Sequence, residues 1–290
     1  MDVLFSVVIP TYNHAHFLSH ALQSLLDQTY KNWEAIIIDN HSKDNTDEIM
    51  RGFADPRITF LKINNNGIIA ASRNMGIQKA RGEWIAFLDS DDLWYEDKLE
   101  ICFGHINEMV DVIYHDLRLV REKKKFFSRP VVKGRKLKKN ILKDLLINGN
   151  AISNSSVVVR KKILDAVGGI DESSEMIASE DYNTWLKIST VTDKFVYIPK
   201  IMGGYFCHDA SISRKDMYDC MVHASEKFVS CLKEIEIKKY NACLSYARGR
   251  FKFLAGEYSS AKEYLLISFK YGNFEIRLKS LFMLVRCNLP

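Results

Sequence analysis

Trp84-Ile85-Ala86-Phe87-Leu88-Asp89-Ser90-Asp91-Asp92 passes from five apolar residues straight into three carboxylates interrupted by one serine. An apolar run of this length with no polar face reads as a strand buried on both sides, so the carboxylates emerge at the edge of a covered sheet. Alternate carboxylates at such an edge are hard oxygen donors suited to Mg²⁺ or Mn²⁺, and an ion of that kind holds a diphosphate. The Asp-x-Asp pattern alone is weak. With 20 aspartates among 290 residues, about one such pattern arises by chance, and its place after a strand carries the argument.

The residues upstream alternate regularly. Residues 5–10 are β-rich, and Phe17, Leu18, Ala21, Leu22, Leu25 and Leu26 then recur with helical spacing. Residues 33–39, with the core Ile36-Ile37-Ile38, predict a second strand, followed by a helix through Ala54 that Ser42 or Asp44 can cap. Residues 58–63 predict a third strand, 67–81 a third helix and 84–88 the fourth strand. Three successive βα units call for a mostly parallel α/β sheet with right-handed crossovers. Ligands in such sheets bind beyond the carboxyl ends of strands. Thr11, Tyr12 and Asn13 fall there after the first strand, Asp39 after the second, and Asp89, Ser90 and Asp91 after the fourth. Taken singly, Asn13 or Asp44 fits ordinary turn chemistry equally well. No Gly-x-Gly-x-x-Gly follows the first strand and no Walker A lysine motif occurs, which removes the main support for dinucleotide and P-loop classes.

Downstream, residues 93–109 read as helical, 110–120 and 155–160 as strands, and 181–189 as a short helix with Trp185, Leu186 and Ile188 on one side. Residues 195–199 and 202–208 read as two strands parted by a turn, and from about 215 the chain is mostly helical. Leu254-Ala255-Gly256-Glu257-Tyr258 partly matches a tetratricopeptide pattern, but a single copy reads as an ordinary helical hairpin. The expected organisation is an α/β domain over 1–213 in two halves, 1–92 and 93–213, with a helical appendage over 214–290.

Composition sets outer bounds. Hydrophobic content of 47% and charged content of 27% fit a folded protein with a sizeable core. The six cysteines are scattered without a Cys-x-x-Cys pair, so neither a zinc site nor a disulfide framework is indicated, and reduced thiols in a cytoplasmic compartment are expected. No basic n-region precedes the first strand and no stretch approaches the roughly 20 apolar residues of a membrane span. Net charge is +5, yet residues 121–143 hold eleven Lys/Arg against Glu122 alone, leaving −5 on the rest. That basic stretch suits an anionic membrane surface or another phosphate-bearing partner, or an ordinary solvated loop. Its only aromatics are Phe126 and Phe127, too few to support nucleic-acid binding by base stacking.

The assembled motifs resemble the family 2 glycosyltransferases, inverting nucleotide-sugar enzymes of the GT-A fold. The resemblance is carried by Ser6-Val7-Val8-Ile9-Pro10-Thr11-Tyr12-Asn13, by residues 38–46, by Asn66-Gly67-Ile68 with Arg73-Asn74, and by Phe87-Leu88-Asp89-Ser90-Asp91-Asp92. It continues in Gly168-Gly169-Ile170-Asp171-Glu172, in Ser179-Glu180-Asp181-Tyr182 with Trp185-Leu186, and from His208 through Ser213. It implies a GT-A sheet flanked by helices and the transfer of a sugar from a nucleotide-sugar, with UDP favoured, to a saccharide or lipid-linked acceptor. By the same resemblance Thr11, Tyr12 and Asn13 line the nucleotide pocket, Asp39 accepts the uracil N3 hydrogen, and Arg73 lies near base or diphosphate. Asp89 contacts ribose or a metal-bound water, Asp91 binds Mn²⁺ or Mg²⁺, His208 closes the metal site, and Asp181 is the catalytic base. From local sequence alone, Asp181 equally fits a helix cap and His208 a structural imidazole.

Two departures stand out. His41 occupies a place where the family commonly has glycine, which matters if that turn needs positive φ. Phe206 stands where arginine often precedes the histidine. A non-catalytic nucleotide- or glycan-binding protein on the same fold is the competing reading. A nucleotidyltransferase is disfavoured by Thr-Tyr-Asn-His-Ala-His after the first strand, where that chemistry places a glycine- and arginine-rich loop.

Overall fold

The computed structural model describes residues 3–121, 131–207 and 216–287. Its elements run β1 (Phe5–Thr11), α1 (Ala15–Leu26), β2 (Trp33–Asp39), α2 (Thr46–Gly52), β3 (Ile58–Lys62), α3 (Ile69–Lys79), β4 (Trp84–Phe87), β5 (Leu93–Trp94), α4 (Lys98–Gly104) and β6 (Val112–Arg121). They continue with β7 (Val131–Val132), α5 (Ile141–Asn148), β8 (Val158–Arg160), α6 (Lys161–Ala166), α7 (Glu180–Ile188), β9 (Phe195–Cys207), α8 (Tyr218–Ser225), α9 (Glu234–Leu254), α10 (Tyr258–Tyr271) and α11 (Phe274–Arg286). The chain divides into two compact units, one of residues 1–136, 151–174 and 190–209, the other of residues 137–150, 175–189 and 210–290.

The first unit is a mixed sheet in the order β3-β2-β1-β4-β8-β6-β9-β5, with β7 beside β6. β1 pairs parallel with β2 and β4, and β2 with β3, as three right-handed βα units require. β8 lies antiparallel to both β4 and β6. The continuous apolar runs of β1, β2 and β4 are buried throughout. One face packs Val7, Ile9, Ala35, Ile37 and Ala86 with Leu18, Leu22 and Leu25 of α1. Each such leucine contributes about 1.5–3 kcal/mol by leaving water. On α3, a Cβ at Gly76 would stand 2.5 Å from Val8 Cγ1, so glycine lets this helix lie close to β1.

Three stretches differ from the sequence reading, the first being Ser155 and Ser156, expected in a strand but lying in a 3₁₀ turn ahead of β8. Leu93 and Trp94, expected to open a helix, instead pair antiparallel with Gly204 and Gly203 of β9. The glycines permit this approach, since a Cβ at Gly203 would meet the Leu93 carbonyl at 2.5 Å. The two strands expected at 195–199 and 202–208 are one strand, β9, parallel to β6. Its register shifts opposite His115 and Asp116, where Pro199 and Lys200 form the irregularity; a bulge is where proline, lacking an N–H, is tolerated in a sheet.

The second unit is helical. Amphipathic α7 buries Tyr182, Trp185, Leu186 and Ile188, and the Tyr182 hydroxyl donates to the Leu145 carbonyl at 3.0 Å. Ala261, Leu265, Met283 and Cys287 form a small core with Tyr246, Phe253 and Leu284 packed on it. Asn273 caps α11, its side chain accepting from Ile276 N at 2.9 Å. No described helix is long and apolar enough to cross a membrane.

Candidate active site

The carboxyl ends of β1 and β2 are neighbours, with Thr11 opposite Asp39 in register. The loops beyond them are knitted together. Asn13 N donates to Ser42 Oγ at 2.8 Å, and Lys43 N returns a bond to Asn13 Oδ1 at 2.7 Å. Asn13 and His41 both hold φ near +52°. The turn after β2 therefore does adopt the left-handed conformation that glycine supplies most easily, and His41 takes it at some cost. Asp39 is fully buried. Ser42 N donates to both of its oxygens at 3.1 Å, Ser42 Oγ donates to Oδ1 at 2.5 Å, and Lys62 Nζ stands 3.9 Å away. Thr11 Oγ1 is buried without a protein partner, whereas Tyr12 is 48% exposed.

β4 delivers the acidic cluster. Asp89 accepts from Arg73 Nη2 at 2.7 Å and from Asn154 Nδ2 at 2.9 Å, and its own N–H donates to Ser155 Oγ at 3.1 Å. The Arg73 guanidinium is carried by α3 and buried, a strong charge-assisted arrangement. Ser90 is buried with Oγ 3.1 Å from His14 Nδ1, which ties this loop to the one after β1. Asp91 is half-buried. Asp92 is buried; its Oδ1 accepts from Phe206 N at 2.9 Å, while Oδ2 has no protein partner. Burial first, then the charges of Asp91 and Asp89, push the Asp92 carboxyl well above the ordinary range, against the hydrogen bonds from Ser155 and Phe206 N.

Three carboxylates thus gather at one strand end, one of them paired with Arg73. This donor set fits a divalent ion of the magnesium type, which takes one or two carboxylates and completes its shell with substrate phosphate and water. Asp91 would supply the protein oxygen, because Asp89 is already engaged by Arg73 and Asn154. Among the described residues no group of three or more His, Cys, Asp or Glu is placed to hold a metal by itself. His208 lies outside the described residues.

Asp181 belongs to the second unit. It is the second residue of α7, half-buried, and it accepts from Tyr182 N at 2.6 Å and from Asn150 Nδ2 at 3.4 Å. Thr11, Asn13, Asp39, Arg73, Asp89, Ser90 and Asp91 are all in the first unit. Asn154 and Ser155 were missed by the sequence reading. They form a short 3₁₀ turn before β8 that grips Asp89, and the Ser155 carbonyl also accepts from Trp94 Nε1 at 2.7 Å. Their signal was slight: polar Asn154-Ser155-Ser156 ahead of apolar Val157-Val158-Val159.

The family described as Glycosyl transferase family 2 matches residues 6–168. The UDP-Glc:alpha-D-GlcNAc-diphosphoundecaprenol beta-1,3-glucosyltransferase WfgD of Escherichia coli is 30% identical over 220 residues, 74% of this chain and 80% of that protein. Glycosyltransferase GlyG of Streptococcus pneumoniae is 40% identical over 110 residues, 37% of this chain and 36% of that protein. Among solved structures, the Pyrobaculum calidifontis mannosyltransferase PcManGT in complex with GDP-Man and Mn²⁺ superposes with TM-score 0.65 at 17% identity, covering 98% of this chain and 80% of that one. S. aureus TarS 1-349 in complex with UDP-GlcNAc gives 0.64 at 19%, covering 92% and 80%. At those identities the structural likeness speaks for the shared GT-A fold alone. The chain is a glycosyltransferase and belongs to glycosyl transferase family 2.

Proposed function

We propose that the chain transfers a sugar, with inversion, from a UDP-sugar to a saccharide on a lipid-linked acceptor, in the assembly of a cell-surface polysaccharide. The observation that carries this reading is the gathering of Asp89, Asp91 and Asp92 just beyond β4, beside the loops of β1 and β2. The name of the Escherichia coli relative, a UDP-glucose enzyme acting on a diphosphoundecaprenol-linked sugar, supports the donor and acceptor classes.

In this reading residues 1–92 hold the donor, 93–213 shape the acceptor side and 214–290 form an appendage. Thr11, Tyr12 and Asn13 line the nucleotide pocket, and Asp39 accepts the uracil N3 hydrogen as the Ser42 hydroxyl gives way. Arg73, Asp89 and Ser90 orient ribose and diphosphate, and Asp91 binds Mn²⁺ or Mg²⁺. When bound, the ion offsets the charge of the departing diphosphate. Asp181 takes the proton of the acceptor hydroxyl as that oxygen attacks the anomeric carbon. The bond from that carbon to the diphosphate oxygen breaks, and nucleoside diphosphate leaves with the electron pair. No second protein acid is needed, because the diphosphate is already a good leaving group. Docking at the inner face of the cytoplasmic membrane through the basic stretch 121–143 would serve a lipid-linked acceptor, although residues 122–130 lie outside the described ones.

The test is release of nucleoside diphosphate from a panel of UDP- and GDP-sugars with Mn²⁺, Mg²⁺ or chelator, followed by NMR of the product formed on a diphosphate-lipid-linked sugar. Metal-dependent UDP release and an inverted anomeric centre are expected. Asp181→Asn should keep donor affinity near wild type while transfer falls roughly 10²-fold or more. Retention of configuration, or full turnover by that variant, would overturn the base. UDP binding without turnover on any acceptor would favour the non-catalytic binding protein.

A further inference from the structure

Helix α11 has two apolar faces. One, bearing Ile276, Ser280 and Met283, is buried in the second unit. The other bears Phe274, Leu278, Leu281, Phe282 and Val285, exposed by 78%, 52%, 43%, 61% and 54%. Their spacing of four, three, one and three residues keeps all five within one stripe of a helix with 3.6 residues per turn. Single exposed apolar side chains are ordinary on a protein surface, but a continuous stripe of five marks an interaction site.

The charges beside the stripe indicate what covers it. On the same helical spacing, Arg277 falls on one border, and Lys279 and Arg286 on the other. Glu275, the one acid of the helix, is paired with Lys279 at 2.5 Å. The Arg286 guanidinium stands 5.4 Å from the Phe282 ring centroid, so its stem runs along the stripe while its charge sits at the border. Two copies meeting stripe to stripe would bring cationic borders against cationic borders. An anionic bilayer gains from the same borders and from the apolar centre together.

We propose that α11 lies in the plane of an anionic lipid surface, its apolar stripe among the acyl chains and Arg277 and Arg286 at the headgroup phosphates. The proposal rests on the lipid-linked acceptor for its purpose, whereas lipid binding itself requires neither donor nor turnover. It is tested with the full chain by co-sedimentation with phosphatidylcholine vesicles or vesicles containing phosphatidylglycerol, at low and high salt. Wild type is expected to bind the anionic vesicles and to be released by salt. Leu278→Gln/Phe282→Gln/Val285→Gln should lower partitioning roughly hundredfold or more, and Arg277→Gln/Arg286→Gln roughly tenfold or more. All five positions are surface ones, so thermal melts should match wild type. Wild-type binding retained in the apolar variant would overturn the proposal, and so would a dimer in sedimentation velocity that the same variant dissolves without any vesicle binding. If vesicle binding is absent while detergent-dispersed lipid-linked sugar is still glycosylated, the docking falls and the acceptor reading stands. Salt-sensitive vesicle binding without transfer to that acceptor would do the opposite, supporting the docking and removing the acceptor.

Discussion

Strand β2 carries a buried acid at each end, and the two are held differently. At the amino end Glu34 accepts from Ser6 Oγ, Arg81 N and Arg81 Nε, each at 2.7 Å. Next to it Arg160 joins Glu83 to Asp111 and lies over the Trp84 ring at 4.5 Å. Each of these acids meets a cation. At the carboxyl end Asp39 faces the Ser42 loop with Lys62 only at 3.9 Å, and Asp89, Asp91 and Asp92 gather beyond β4, Asp89 paired with Arg73. Burial alone therefore does not distinguish the two ends; the clustering of carboxylates at the loop-bearing end does.

The largest consequence is expected at Asp91. Asp91→Ala should lower turnover roughly 10³-fold and abolish the Mn²⁺ dependence of UDP affinity measured by calorimetry, because the diphosphate then lacks its shared counter-charge. Equal UDP affinity with and without Mn²⁺ in the wild type would remove the functional meaning of the cluster.

Glu34 should behave in the opposite way. Burial pushes its carboxyl up, but the hydrogen bonds from Ser6 and Arg81 outweigh this and hold it below the ordinary range. Glu34→Gln should cost about 1.5–3 kcal/mol in urea unfolding at neutral pH, with turnover per folded molecule unchanged. A carboxyl lowered on folding contributes stability that is complete above its unfolded value and lost as pH falls through its folded value. The gap between wild type and variant should close below about pH 4. A gap that widens on acidification would show that Glu34 is not held ionised by its partners.

Ser155 tests the same end through a residue that touches no ligand in the proposed roles. Its hydroxyl accepts the Asp89 N–H and bonds the Asp92 carboxyl. Ser155→Ala should lower kcat about tenfold with the melting temperature close to wild type, and Ser155→Thr should recover part of the loss. A loss that tracks thermal stability across the two variants would reduce Ser155 to packing.

Much of this was readable in the chain. Apolar runs at 5–10, 33–39 and 84–88 had to be covered strands, and the polar residues following them had to stand at one edge. The glycine-like turn at His41 was likewise visible as a departure that mattered only if φ was positive, and φ is +52°. The Asn154 and Ser155 contacts were not readable, because they join residues 65 and 66 positions apart and no local pattern encodes such a pairing. Leu93 and Trp94 misled because their partners, Gly203 and Gly204, lie over a hundred residues away. Strand pairing at that distance overrides local helical spacing.

The first unit also buries an amine that no carboxylate closes. Lys98 is wholly buried, its Nζ has no hydrogen-bond partner, and it sits 3.2 Å from the Trp94 ring centroid. His115 is buried with Nδ1 2.8 Å from the Asp116 carbonyl; Nδ1 therefore carries the proton and Nε2 is a bare acceptor without a partner. Burial lowers Lys98 to about 7 and raises neighbouring Cys102 to about 11. An amine lowered on folding binds fewer protons in the folded than in the unfolded chain between the two values, so stability rises with pH across that window. Below pH 7 the cost of charging Lys98 in the interior is present in full. Lys98→Met removes that cost with little change in volume. The variant should therefore be more stable than wild type at pH 6, and its advantage should shrink by about 1 kcal/mol from pH 7 to pH 8 in urea titrations. A constant difference across that range would mean that Lys98 keeps its proton in the interior, held by the Trp94 ring, and that this region balances its charge after all.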